Sequence, residues 1–181
     1  MSVTILSELY EGRPVDRKSP TEEKVYDFLI KSGISFQCIE HTAADTIEDC
    51  HLIENYIGAK ICKNLFLKNS AATQYYLLLM NGDTKFDSKV ISHQINSTRL
   101  SFSTPENMLK YLGVEPGSAS VLGLINDTDS KIILLVDSKL FDDEFFCCHP
   151  CKNTSTLRFR TADIFNKFIP LTEHTYTVVN L

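Results

Sequence analysis

Apolar residues along this chain recur at two spacings, three-to-four and strictly two, and each spacing marks a different kind of element. Ser19-Pro20-Thr21-Glu22 has the form of a helix start, with Ser19 as N-cap, Pro20 in the first turn and Glu22 three residues on. Val25, Phe28 and Leu29 then give a helical stripe that Gly33 stops. Residues 34–40 alternate as a strand, and Thr46 can cap a second helix through about Asn55 that Gly58 ends. Residues 60–68 and 75–80 form two strands, the second closed by Asn81-Gly82-Asp83. Asp87 caps a short helix through Ile95, Arg99-Leu100-Ser101-Phe102 is extended, and Thr104-Pro105-Glu106 opens a helix with Met108, Leu109 and Leu112 inward and Gly113 past its end. Residues 120–125 and 132–136 give two strands joined by Asn126-Asp127-Thr128-Asp129 as a hairpin or longer loop. Another strand is expected over 156–160. Thr161 then caps a helix bearing Ile164, Phe165, Phe168 and Ile169, broken at Pro170, and 174–179 is a last strand. Helices and strands are interspersed without strict alternation. The expected fold is therefore α+β: one domain over 19–181 behind an irregular arm at 1–18, with a mixed, curled, barrel-like sheet and flanking helices.

The strand at 60–68 breaks its own pattern. Ile61, Lys63, Leu65 and Leu67 share one face, and Lys60, Cys62, Asn64, Phe66 and Lys68 the other. Lys63 thus stands in an aliphatic stripe, where desolvating an unpaired ammonium costs several kcal/mol, on the order of a domain's net stability. Either Lys63 lines a pocket or it snorkels from an edge.

Composition narrows the classes. A chain of 181 residues with 43% hydrophobic and 23% charged residues suits one globular domain. No apolar run reaches bilayer length and the start, Met1-Ser2-Val3-Thr4-Ile5, lacks a basic region and a cleavable apolar one, so a cytoplasmic protein without a membrane partner is expected. A net charge of −5 argues against a sequence-blind coat on DNA or RNA, while leaving room for a local basic patch at one nucleic-acid end. The six cysteines, Cys38, Cys50, Cys62, Cys147, Cys148 and Cys151, should be reduced in that compartment. Cys148-His149-Pro150-Cys151 has no second ligand pair to complete a zinc shell, and it comes too late, before a turn and strand, for a thioredoxin-like motif.

Three features can converge on chemistry. Lys63 is one. Glu115-Pro116-Gly117-Ser118-Ala119-Ser120 is the second: its glycine lets backbone amides approach an anion or oxyanion, although an ordinary connector into a buried strand has the same composition. The third is His149-Pro150-Cys151-Lys152-Asn153-Thr154, where a histidine precedes an amide, a hydroxyl and a cation; a packed histidine is the plainer alternative.

Taken together, Lys63-Asn64-Leu65-Phe66-Leu67 after Gly58, His149-Pro150 and Asn153-Thr154 resemble the YbaK/prolyl-tRNA synthetase-associated editing domain family. Ile61-Cys62-Lys63-Asn64, Arg99-Leu100-Ser101-Phe102 and Pro116-Gly117-Ser118 resemble its free-standing ProX/PrdX branch most, and the likeness runs from about Ser19 to the C-terminus. The resemblance implies a trans-editing hydrolase that removes alanine wrongly esterified to proline tRNA, without metal, cofactor or covalent nucleophile, helped by the substrate's own ribose hydroxyl. It implies catalytic roles for Lys63, Gly117 and His149 and substrate contacts from Asn64, Ser118, Lys152, Asn153 and Thr154. Its partners would be the proline-tRNA acceptor end and prolyl-tRNA synthetase, with no DNA. One departure is visible: synthetase-embedded relatives often carry Gly-x-x-x-Pro in the loop, and Val121 stands here in place of that proline.

General chemistry is consistent with that expectation. A pocket built for proline cannot strongly reject smaller alanine, since a missing methylene is worth only about 1–3 kcal/mol. An aminoacyl ester is already activated, so orientation and oxyanion stabilisation can suffice to hydrolyse it. The alternatives are deacylation of Cys-tRNA(Pro), a non-catalytic tRNA- or synthetase-binding module, and a redox protein built on Cys148 and Cys151.

Overall fold

The computed structural model describes residues 2–16, 18–44 and 46–181; Met1 and Arg17 of the expected arm lie outside them, as does Asp45. In chain order the elements are β1 (Tyr10–Glu11), α1 (Pro20–Lys31), β2 (Gln37–Glu40), α2 (Ile47–Ile57), β3 (Cys62–Lys68), β4 (Tyr75–Asn81), α3 (Ser88–Gln94), β5 (Ser101–Phe102) and α4 (Pro105–Asn107). A π-helical turn at Met108–Leu112 continues α4, and a 3-10 helix at Val121–Asn126 precedes β6 (Ile132–Asp137). Then follow β7 (Phe145–Cys148), β8 (Ser155–Arg160), α5 (Thr161–Asp163), a π-helical turn at Ile164–Phe168, α6 (Ile169–Leu171) and β9 (Tyr176–Val179).

The helix starts follow their capping chemistry. Ser19 Oγ accepts the Glu22 amide while the Glu22 carboxylate accepts the Ser19 amide, and Thr46 and Asp49 repeat the exchange at α2. Gly58 ends α2 in the left-handed conformation at φ 69°. Thr161, expected as a cap, instead donates its hydroxyl to the Asp143 carbonyl, and the last helix continues through Pro170. The π-helical turn before it shifts the hydrogen bonding, so a proline there interrupts less than it would in a regular α-helix.

The strands form two sheets rather than one curled one. An antiparallel sheet has the order β1-β2-β8-β7, and a mixed sheet the order β5-β3-β4-β6-β9, with β4-β6 and β6-β9 parallel. They meet at one isolated parallel bridge, Ile61↔Cys147. The expected barrel does not close. On its outer side β3 pairs with β5 only at Leu67 and Lys68, with the Ser103 amide reaching the Phe66 carbonyl, so the edge from Cys62 to Leu65 stays open.

The larger core fills the space between the sheets, with Cys62, Phe66, Leu77, Leu79 and Val136 facing Cys38, Phe146, Leu157 and Phe159. A second cluster covers the other face of the mixed sheet, where Leu67, Leu78, Met80 and Leu135 meet Ile91 of α3. A third lies under α2, joining Ile53 and Ile57 to Ile39, Ile61 and Cys147. The arm is partly ordered by this packing: β1 pairs with β2, and Ile5 bridges to His41.

Three further expectations are corrected here. Where a strand was expected over 120–125, the chain forms the helix Val121–Asn126 capped by extended Ser120, and no hairpin joins it to β6, which pairs in parallel with β4. Leu109, expected inward, is 64% exposed. The strand β7 lies where none was expected.

Candidate functional site

Lys63 and Asn64 sit on the open edge of β3, and that edge is the floor of a cavity of about 440 Å³. One wall is the outward face of α2, with Ile47, Cys50, His51 and Glu54 at helical spacing. The opposite wall comes from Phe102, Ser103 and Met108, and the loop at Pro116, Gly117 and Ala119 closes over with His149. The structure therefore gathers Lys63, Asn64, Gly117 and His149 around one space. Ser118 is buried beneath the loop, and Lys152, Asn153 and Thr154 do not line the cavity.

Lys63 is half-buried and is the only lysine or arginine on the cavity wall among the described residues, and its ammonium has no ion pair or hydrogen bond among them. Cys50 faces the same space; burial pushes its thiol up, while the nearby Lys63 ammonium pulls the other way. α2 is held to the floor by Glu54 Oε1, which accepts the Ile61 amide at 2.8 Å.

The loop is a Pro-Gly turn. The Ser118 amide donates to the Glu115 carbonyl at 3.1 Å and Gly117 has φ 86°, the pattern of a type II turn with proline at its second position and glycine at its third. The Ser118 amide is thus spent, whereas those of Gly117 and Ala119 have no acceptor among the described residues. Lys152 Nζ lies 3.6 Å from the Glu115 carboxylate, on the outside of the same turn.

Below the loop, the start of the 3-10 helix ties the three segments together. The Val121 amide donates to Asn64 Oδ1 at 2.8 Å, and Asn64 Nδ2 donates to the Cys62 carbonyl at 2.8 Å. Ser120 Oγ donates to the His149 carbonyl at 2.6 Å and accepts the Leu122 amide. Val121 supplies the amide that Asn64 holds; a proline in its place would have none to give. Asn64 therefore spends much of its hydrogen-bonding capacity on the scaffold.

His149 donates Nδ1–H to the Ser155 carbonyl at 3.0 Å; a carbonyl only accepts, so the proton is on Nδ1 and Nε2 carries the lone pair. The ring keeps part of its surface on the cavity, yet the surrounding protein lowers its pKa to about 4, burial outweighing the Ser155 bond that opposes it. At neutral pH it is an uncharged acceptor. Asn153 and Thr154 act one step back: their carbonyls accept the amides of Ala44 and His41, holding the segment that carries Ala44 into the wall.

The Cys148–Cys151 pair has a different character from the one its spacing suggested. Both are buried, and burial pushes the Cys151 thiol to about 12 and the Cys148 thiol well above its ordinary value. These are protonated core residues, unsuited to thiolate chemistry. Arg158, a cation near His149 in sequence, is also committed elsewhere, donating to the Ile57 carbonyl at 2.6 Å and to Gln37 at 2.8 Å. Reading motifs missed the α2 wall, although Ile47, Cys50, His51 and Glu54 form a second stripe opposite the buried one.

Comparison with known proteins covers the same region. The sequence model of the aminoacyl-tRNA editing domain family matches residues 41–167, which include Lys63, Gly117 and His149. The chain is 30% identical over 148 residues to the prolyl-tRNA editing protein ProX of Acetoanaerobium sticklandii, spanning 82% of this chain and 90% of that protein. It is 27% identical over 169 residues to prolyl-tRNA synthetase associated domain-containing protein 1 of Danio rerio, spanning 92% and 89%. A crystal structure described as a candidate trans-editing enzyme for prolyl tRNA synthetase aligns with a TM-score of 0.65 at 15% identity, over 91% of this chain and 99% of that one, a likeness of fold.

Proposed function

This chain belongs to the aminoacyl-tRNA editing domain family, and we propose that it is a deacylase that hydrolyses alanine from mischarged proline tRNA. The observation that carries the reading is the convergence, around one cavity, of a cation, a neutral imidazole and unspent backbone amides. Lys63 and the amides of Gly117 and Ala119 receive the oxyanion that forms when water adds to the ester carbonyl. His149 Nε2 accepts a hydrogen bond from the terminal ribose hydroxyl, which in turn orients the attacking water. As the C–O bond to the ribose breaks, one proton of the attacking water passes to the ester's alkoxy oxygen, which leaves as the ribose hydroxyl of free tRNA, and the other is released to solvent as alanine leaves as the carboxylate.

The other contacts keep supporting places in this proposal. Asn64 and Ser118 hold the loop from below, Asn153 and Thr154 hold the wall, and Lys152 lies at the rim. The functional domain runs from residue 19 to 181 behind the arm at 1–18, acts in the cytoplasm, and takes its substrate from tRNA charged by prolyl-tRNA synthetase. No helix among the described residues is long and apolar enough to cross a membrane.

Steady-state deacylation by Lys63→Ala tests the reading. The expected result is a fall in kcat of roughly 100- to 1,000-fold, the range for loss of one oxyanion donor. The melting temperature should hold, since truncation removes an unpaired half-buried charge. Normal turnover by this variant overturns the catalytic role.

A further inference from the structure

The cavity's outer wall leads somewhere. Phe102, which lines it, is 63% exposed yet fixed: its backbone in β5 pairs with Leu67 of β3, and its ring packs against Phe86 at 6.0 Å between centroids. Phe86 in turn lines a second cavity of about 570 Å³, together with Asp87, Ser88, Lys89, Ser92 and Arg99. Lys89 and Arg99 are exposed and carry no ion pair among the described residues. Asp87, the one carboxylate there, spends Oδ1 on the amides of Lys89 and Val90. By contrast, the aromatic pocket around Phe141 and Phe165 is bordered by Asp143 and Glu144, and its Arg160 is paired with Glu144. On a chain of net charge −5, two unpaired cations beside an exposed Phe102 backed by half-buried Phe86, continuous with the candidate active site, are a local exception.

We propose that this surface is a track for the single-stranded 3′ end of the RNA. The terminal base stacks on Phe102 at the cavity mouth, with Phe86 behind it, and the preceding phosphates lie in the second cavity against Lys89 and Arg99. Aromatic platforms followed by cations are how proteins hold unpaired nucleic-acid strands irrespective of sequence. The proposal rests on the deacylase reading only for the direction of the strand, which places the ester beside Lys63.

The probe is an uncharged RNA hairpin with a four-nucleotide single-stranded 3′ extension, its Kd measured by fluorescence anisotropy across a salt series. Phe102→Ala should weaken binding roughly 5- to 100-fold, the effect of losing one base–aromatic stack, while Phe102→Tyr should retain it. Arg99→Ala and Lys89→Ala should each reduce the slope of log Kd against log salt by about 0.7, the loss of one phosphate contact on a single strand. Shortening the extension to a blunt end should abolish the difference between Phe102 and Phe102→Ala. The proposal is overturned if Phe102→Ala and Arg99→Ala bind the hairpin with unchanged Kd and salt slope. Because the probe carries no ester, the two readings fail separately. Loss of hydrolysis alone with these Kd differences intact removes the reaction and leaves the track, and hydrolysis with unchanged Kd values does the reverse.

Discussion

At the scale of single residues, the account turns on groups whose state is set by what surrounds them. Gly117 has φ 86°, and a Cβ built there meets nothing within 4 Å. Gly117→Ala therefore carries backbone strain on the order of 1 kcal/mol without a clash in the free protein. The expected outcome is a small fall in melting temperature and a larger fall in kcat measured well below it, because the methyl stands beside an amide that must approach the ester. Full kcat at low temperature would make the loop scaffold only. His149 gives a pH prediction with a defined sign. Its folded pKa is lowered from 6.5 to about 4, so the unfolded chain binds the proton more tightly; the stability is present above about pH 6.5 and is lost as pH falls toward 4. Buried His41 is shifted in the same direction. Urea midpoints across this window should decline less steeply in His149→Gln than in the parent, and an identical slope in both would contradict the assignment. Lys63 was legible because strand alternation is rigid, and an ammonium in an aliphatic stripe needs a reason. The states of Asn64 and His149 were not: Asn64 depends on Val121, far along the chain, and His149 on how the turn after it folds back to set the Ser155 carbonyl against its ring.

At the scale of elements, the short helix at Val121–Asn126 is the piece that sequence pattern misrepresents. Val121, Leu122, Gly123 and Leu124 are all buried, and a continuous apolar run of that length suits a buried strand equally well. Tertiary packing decides it: Ser120 caps the turn, and Gly123 lies so close to the π-helical turn that a Cβ would sit 2.9 Å from the Leu112 carbonyl. With that segment helical, β6 has no hairpin partner before it and pairs with β4. β7 was not legible because Phe145–Cys148 is too short for a period of two to declare itself and is buried on both sides, Phe146 and Cys148 in the larger core and Cys147 under α2. The capped helices α1, α2 and α3 were legible almost to their ends, since capping is local chemistry. The Asn64–Val121 tether offers a test at this scale. Ser120 has φ −151° and ψ 144°, which suits a residue before proline, so Val121→Pro should fold. It removes the amide that Asn64 accepts and should cost about 0.5–1.5 kcal/mol, with kcat lowered as the loop loosens. Asn64→Ala should cost more, about 1–3 kcal/mol, because the Val121 amide and the Cys62 carbonyl both lose their partner. A Val121→Pro protein with unchanged stability and kcat would show that the tether does not position the loop.

At the scale of the whole molecule, an unclosed pair of sheets makes room for the site. A barrel sealed along β3 would pair the edge from Cys62 to Leu65 and leave no floor for the cavity; the short β5 keeps it open. The α+β class followed from the interspersed elements, but closure could not, because it depends on how far β5 extends along β3. The central claim is that this opening admits a small aminoacyl ester of proline tRNA and hydrolyses it. The most direct measurement is single-turnover deacylation of Ala-, Cys-, Ser- and Pro-tRNA(Pro) by the wild-type protein. The account predicts that Ala-tRNA(Pro) is cleaved fastest and that Pro-tRNA(Pro) is spared by roughly 10- to 200-fold or more, the discrimination that pocket size can supply. No hydrolysis of any of the four, or cleavage of Pro-tRNA(Pro) as fast as Ala-tRNA(Pro), would contradict it.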